Sequence, residues 1–172
     1  MMTSLTCDVL KALEGKTLVT AESCTGGGIG AALTAIPGSS KVYKGGIICY
    51  TNWVKENILE IEGNILDKYG AVSIPVAGAM ALHARLILQA DVGISVTGLA
   101  GPGGDEFGNP VGTVCIGYAD KSVSFAKTCH FIGNFGRFSN AVFGTKGVGC
   151  SYSSTTAFVC VVGNSLFTEK GG

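Results

Sequence analysis

Apolar positions near the start of the chain fall at helical spacing: Leu5, Val9, Leu10 and Leu13 share one face, and Gly15 is placed to stop the helix they predict over 5–14. The period then changes. Residues 17–21 are a short apolar and β-branched run, the pattern of a buried strand. Thr25 and the three glycines after it open a second helix, which carries Leu33 and Ile36 and ends at Pro37 and Gly38. A second strand is predicted over 46–50. Asn52 is placed to cap a short helix over Trp53, Ile58, Leu59 and Ile61, and a further turn or helix falls over 65–69. Ser73 caps a third long helix with Pro75 in its first turn, running to residue 89 and apolar enough to be largely buried. A third strand over 92–97 leads into the glycine-rich loop 98–110. Strands over 111–119 and 123–131 then make a hairpin turning at Asp120 and Lys121. Helices that alternate with strands and close on a hairpin predict an α/β fold: a single-domain sandwich with a mixed β-sheet flanked by helices.

The texture breaks after Phe131. From Gly133 onward there is one leucine, Leu166, and one acidic residue, Glu169, and neither period holds for long, although 156–162 has strand character. The chain therefore divides into 1–134, which carries the α/β pattern, and 135–172, a divergent segment without a readable fold. A shift of reading frame near residue 134, or a divergent end, would each leave this pattern.

Composition narrows the function classes. Twelve basic and twelve acidic residues in 172 give zero formal net charge, so there is no broad electrostatic footprint for nucleic acid or anionic lipid. His83 and Arg85 interrupt the apolar stretch 76–90, which argues against a membrane span. A small-molecule partner fits better. The seven cysteines are odd in number, lie at least ten positions apart and contain no CxxC, so they predict buried thiols in a reducing compartment rather than a zinc site. The first sixteen residues include Asp8 and Glu14 and lack a signal-peptide pattern, and the expected location is the cytoplasm.

Three strand-to-helix or strand-to-loop junctions carry candidate chemistry. In AESCTGGG, residues 21–28, Ser23 precedes a helix start whose unpaired amides can hold an oxyanion; the serine would be a nucleophile and the amides of Thr25, Gly26 and Gly27 its oxyanion donors. The same residues have a plainer use, with Ser23 or Thr25 capping the helix and the glycines allowing close packing. The lipase-type elbow and the Walker pattern both fail here. A dinucleotide GxGxxA pattern matches Gly26, Gly28 and Ala31, but the next strand ends in Tyr50, Thr51 and Asn52 without the usual acidic residue. In GGIICYTNWVK, residues 45–55, Tyr50 and Lys55 lie near the strand end where open α/β sheets bind ligands; an enclosed lysine loses hydration and can act as a base, while an exposed one is simply solvated. In VTGLAGPGG, residues 96–104, Thr97 offers a hydroxyl, and Gly98, Gly101, Gly103 and Gly104 permit backbone amides to approach a ligand. Otherwise this is a long turn bent by Pro102. Three such loops at one sheet edge predict a cleft.

Together the strings TAESCTGG, PGSSKVYKGGIICYTNWVK, YGAVS, SVTGLAGPGG and PVGTV, in this order, resemble the C-terminal domain family of competence/damage-inducible protein CinA, which includes stand-alone nicotinamide-nucleotide amidases. The resemblance covers residues 5–134. It implies hydrolysis of the carboxamide of nicotinamide mononucleotide to nicotinate mononucleotide and ammonia, in pyridine nucleotide recycling, with no cofactor. It places the nucleophile at Ser23, the base at Lys55 acting directly or through Tyr50, and the nucleotide against Thr97 and the loop of Gly101, Gly103 and Gly104. Cys24 is a rival nucleophile that the resemblance disfavours. The family also implies a homo-oligomer. A catalytically silent nucleotide-binding or assembly module of the same family is the alternative, and a nucleic-acid-binding role finds no support in the neutral charge. Family members follow the last strand with an arginine that helps bind the substrate and a leucine-bearing helix. Here HFIGN, residues 130–134, keeps the lead-in, but Phe135 stands in the arginine's place, and Arg137 is a weak substitute.

Overall fold

The computed structural model describes residues 2–131. Arg137, the divergent segment 135–172 and its strand-like stretch 156–162 lie outside the described residues. In chain order the elements are α1 (Met2–Ala12), β1 (Leu18–Glu22), α2 (Gly28–Thr34), a 3₁₀ turn (Ser39–Lys41), β2 (Tyr43–Ile48), α3 (Asn52–Asn57), α4 (Gly63–Tyr69), α5 (Ile74–Ile87), β3 (Val92–Gly98), β4 (Thr113–Ala119) and β5 (Ser124–His130). The five strands form one sheet in the order β2-β1-β3-β4-β5. Its first three strands are parallel and the last two antiparallel, so the sheet is mixed as expected.

Alternation along β1 sorts the two faces. Leu18 joins Val9 and Leu10 of α1, Leu13 just after it, and Ile29 and Leu33 of α2 on one side. On the other, Val19 and Ala21 join Leu59, Ile61, Leu66 and the inward residues Val76, Met80 and Ala84 of α5. Every residue of β1 and β4 is buried, as a sheet covered on both faces requires. Ser73 caps α5 as predicted, its Oγ accepting from the Val76 amide. The short α3 differs from expectation. Its cap is Thr51, in extended conformation and accepting from the Val54 amide, which leaves Asn52 as the first helical residue. β2 lies further toward the N-terminus than 46–50, and the register shift beside Gly45 lets this edge strand start at Tyr43.

α5 lies unusually close to the sheet. A Cβ at Gly93 or Gly117 would run into the Ala81 or Ala77 carbonyl of α5, and the Ser95 hydroxyl donates to the same Ala77 carbonyl. Backbone meets backbone there, so no flexible side chain can yield. Gly117→Ala is expected to lower stability by about 1–3 kcal/mol, as overpacking does, seen as a lower urea midpoint at an unchanged m-value.

Candidate functional site

The chain leaves β1, crosses to β2 at one side, and returns across it to β3 at the other. That reversal opens a crevice at the C-terminal ends of β1, β2 and β3, the position where open α/β sheets hold ligands. A cleft of about 520 Å³ occupies it, large enough for a mononucleotide. Ser23, Tyr50, Lys55, Thr97 and Gly101 all line it, so the three loops singled out in the sequence do meet.

Ser23 extends β1 by one residue. Its amide donates to the Val96 carbonyl of β3 at 2.9 Å, which fixes the backbone on which the hydroxyl stands. Lys55 is the buried residue of α3, only 1% exposed. Its Nζ lies 2.9 Å from the Cys49 carbonyl oxygen and 3.2 Å from Ser23 Oγ. As an ammonium it donates to both oxygens; as a neutral amine it can take the serine proton through its lone pair. Among the described residues no carboxylate lies within ion-pair distance of Lys55. Burial without a counter-ion therefore holds its pKa below the ordinary lysine value. Of the two sequence alternatives for Lys55, enclosed or solvated, the structure has it enclosed.

Cys24 and Cys49 sit nearby, but burial pushes their thiols up to about 12 and about 11 respectively. Both remain protonated at neutral pH. Cys24 packs on the apolar cluster beneath α1 and α2.

The turn after Ser23 is more specialised than the sequence indicated. Gly26 and Gly27 adopt φ of +57° and +95°, left-handed values that favour glycine, and α2 begins only at Gly28. The Gly26 amide turns back to the Ser23 carbonyl, so it is not a free oxyanion donor. The amides of Thr25 and Gly27 have no acceptor among the described residues, but of the two only Thr25 lines the cleft. Neither Ser23 nor Thr25 caps α2. Glu22 does so instead, its buried carboxylate accepting from the Ile29 and Gly30 amides and from the Thr25 hydroxyl. In the sequence Glu22 is marked only as an acidic residue ending an otherwise apolar strand.

Tyr50 stands at the rim, 65% exposed. Since Lys55 reaches Ser23 itself, the chemistry does not require a relay through the phenol. Thr97 is buried and donates to the Ala71 carbonyl at 2.8 Å, tying the end of β3 to the segment before α5. In the following loop Gly101 lines the cleft, whereas Gly103 and Gly104 do not. Gly104 is instead where the loop folds on itself: a Cβ there would meet the Asn109 carbonyl, and Asn109 is held by Asp105 and the Val72 carbonyl. Among the described residues, no three His, Cys, Asp or Glu side chains gather as metal ligands, and no helix is long and apolar enough to cross a membrane.

Comparison with known proteins gives a consistent result. The family profile of the CinA C-terminal domain matches residues 2–143. A CinA-like protein from Synechococcus sp. is 52% identical over 107 residues, covering 62% of this chain and 26% of that protein. A putative competence-damage inducible protein from Halothermothrix orenii is 51% identical over 119 residues, covering 68% and 29%. The chain thus spans between a quarter and a third of the length of these curated relatives. Among solved structures, a competence-damaged protein (CinA) superfamily protein from Klebsiella pneumoniae superposes with a TM-score of 0.84 at 29% identity, covering 98% of this chain and 99% of that one.

Proposed function

Because the chain belongs to the CinA C-terminal domain family, we propose that it hydrolyses the carboxamide of nicotinamide mononucleotide to nicotinate mononucleotide and ammonia. The observation that carries this reading is the 3.2 Å contact between Ser23 Oγ and a buried Lys55 Nζ without a counter-ion, at the wall of a mononucleotide-sized cleft. Serine needs a base to become a nucleophile, and a lysine with lowered pKa supplies one near neutral pH.

Ser23 Oγ attacks the carboxamide carbon while its proton passes to Lys55 Nζ. The Thr25 amide receives the developing oxyanion. On collapse the C–N bond breaks, and Lys55 returns the proton to the departing nitrogen, which leaves as ammonia. Water then attacks the acyl-serine, again giving a proton to Lys55, and the nicotinate product leaves as Lys55 reprotonates Ser23. Every proton is accounted for within the pair, and no cofactor is needed. Thr97 and Gly101 flank the space for the nucleotide, and Tyr50 borders its mouth.

The decisive experiment is ammonia release from nicotinamide mononucleotide, with free nicotinamide as competing substrate. Turnover of the nucleotide in preference to free nicotinamide is expected. A folded protein that turns over neither overturns the amidase reading and leaves a silent nucleotide-binding module, the outcome that Phe135 in place of the family's arginine would favour.

A further inference from the structure

Glu22 is a buried ionisable group that the steps above do not use. It is 2% exposed, and its carboxylate is fully engaged. Oε2 accepts from Thr25 Oγ1 at 2.7 Å and from the Ile29 amide at 2.9 Å; Oε1 accepts from the Gly30 amide at 2.8 Å and from Thr20 Oγ1 at 3.2 Å. Thr20 Oγ1 in turn meets the Tyr43 hydroxyl at 2.8 Å. The surroundings leave no slack, because a Cβ at Gly30 or Gly46 would collide with the Tyr43 hydroxyl, and at Gly46 with Thr20 Oγ1 as well. Removing a buried carboxylate with four donors would leave those donors unpaired.

We infer that Glu22 is a positioning residue for the Ser23 site, its carboxylate clamping the Ser23–Gly28 turn so that the serine hydroxyl meets Lys55 and the Thr25 amide faces the cleft. The clamp acts at both ends of the turn. One end is Thr25, held through its hydroxyl, which leaves its amide free; the other is the first turn of α2, held through Ile29 and Gly30. Between them lie the left-handed Gly26 and Gly27, the most deformable part of the segment. The Glu22 main chain holds the other wall: its carbonyl accepts the Cys49 amide, and the Cys49 carbonyl accepts Lys55 Nζ. One residue therefore ties the turn bearing the nucleophile to the strand end that orients the base. The charge itself opposes a developing oxyanion, so an electrostatic role for Glu22 would predict faster chemistry once it is neutralised. A positioning role predicts slower chemistry.

This inference rests on the reading of Ser23 as a nucleophile activated by Lys55, and the test separates it from the choice of substrate. The probe is a fluorophosphonate, which phosphonylates activated serines without needing the nucleotide; the rate is followed by intact mass. Wild type is expected to label at Ser23, and Glu22→Gln, with circular dichroism unchanged, at least about tenfold more slowly, since small misplacement of reacting groups costs that much. On nicotinamide mononucleotide the same variant should lose kcat by a similar factor with KM within about threefold. Should Glu22→Gln fail to fold, Thr25→Val removes one donor from the same carboxylate in an isosteric side chain and is expected to slow labelling, while Thr25→Ser restores the wild-type rate. Wild-type labelling by folded Glu22→Gln or Thr25→Val overturns the inference, as does absence of Ser23 labelling in the wild type. Labelling of wild type without turnover of the nucleotide overturns the substrate reading alone.

Discussion

Ser23→Ala lowers ammonia release from nicotinamide mononucleotide by at least about 10³-fold, whereas Cys24→Ala leaves it within about threefold of wild type. The two residues are adjacent in sequence, and a thiol is intrinsically the better nucleophile, so the contrast is informative. Both residues border the cleft, and the difference arises from what each side chain meets. The Ser23 hydroxyl faces a buried amine at 3.2 Å. The Cys24 thiol packs against the apolar cluster beneath α1 and α2, and burial raises it to about 12, which keeps it from the thiolate form that attacks. Steady-state ammonia assays on the two variants, with folding checked by circular dichroism, give the comparison. Loss of activity in Cys24→Ala with survival of Ser23→Ala would reverse the assignment.

The sequence displays the frame of this site more fully than its electrostatics. Each of the three loops follows a strand recognisable from its own apolar run, and parallel strands in a doubly covered sheet deliver their C-terminal ends to one edge, so a cleft containing Ser23, Lys55 and Thr97 was legible. The Ser73 cap with Pro75 behind it and the hairpin at Asp120 were legible for the same reason: local chemistry decides them. Other features depend on tertiary context. NWVKEN resembles a solvated helical turn, and nothing local says that Lys55 is its inward position. Glu22 looks like a strand terminus, and its role appears only when α2 brings two amides onto it. The use to which each glycine is put depends on tertiary context too. Gly104 serves the loop's own packing, Gly93 and Gly117 the contact of α5 with the sheet, and Gly26 the turn that makes its own amide unavailable.

Lys55→Met should cost about 10²–10⁴-fold in kcat, the usual contribution of a positioned general base, yet leave the protein folded and, at neutral pH, at least as resistant to urea as wild type. These two expectations pull in opposite directions and share one cause. Enclosure with no carboxylate in ion-pair distance among the described residues makes the ammonium form costly, which is what lowers the Lys55 pKa and fits it to accept the serine proton. Methionine keeps the straight apolar stem and removes the charge, and replacing a buried charge by an apolar group of similar volume is often neutral or stabilising. The pH dependence separates this from a generic packing effect. In the unfolded chain Lys55 titrates near its ordinary value of 10.5; in the folded protein it titrates lower. Between those two values the unfolded state binds more protons, so wild-type stability rises with pH across that window and is flat below it. The methionine variant lacks that rise. Its advantage in urea midpoint should therefore be largest at pH values below the folded-state pKa of Lys55 and shrink as pH climbs toward 10.5. Wild-type kcat/KM should increase over the lower part of the same range, as the free amine becomes available, and level off once Lys55 is neutral. A wild-type enzyme whose activity peaks at acidic pH, or a methionine variant that tracks wild-type stability at every pH, would mean that Lys55 is charged in the folded protein and is not the base.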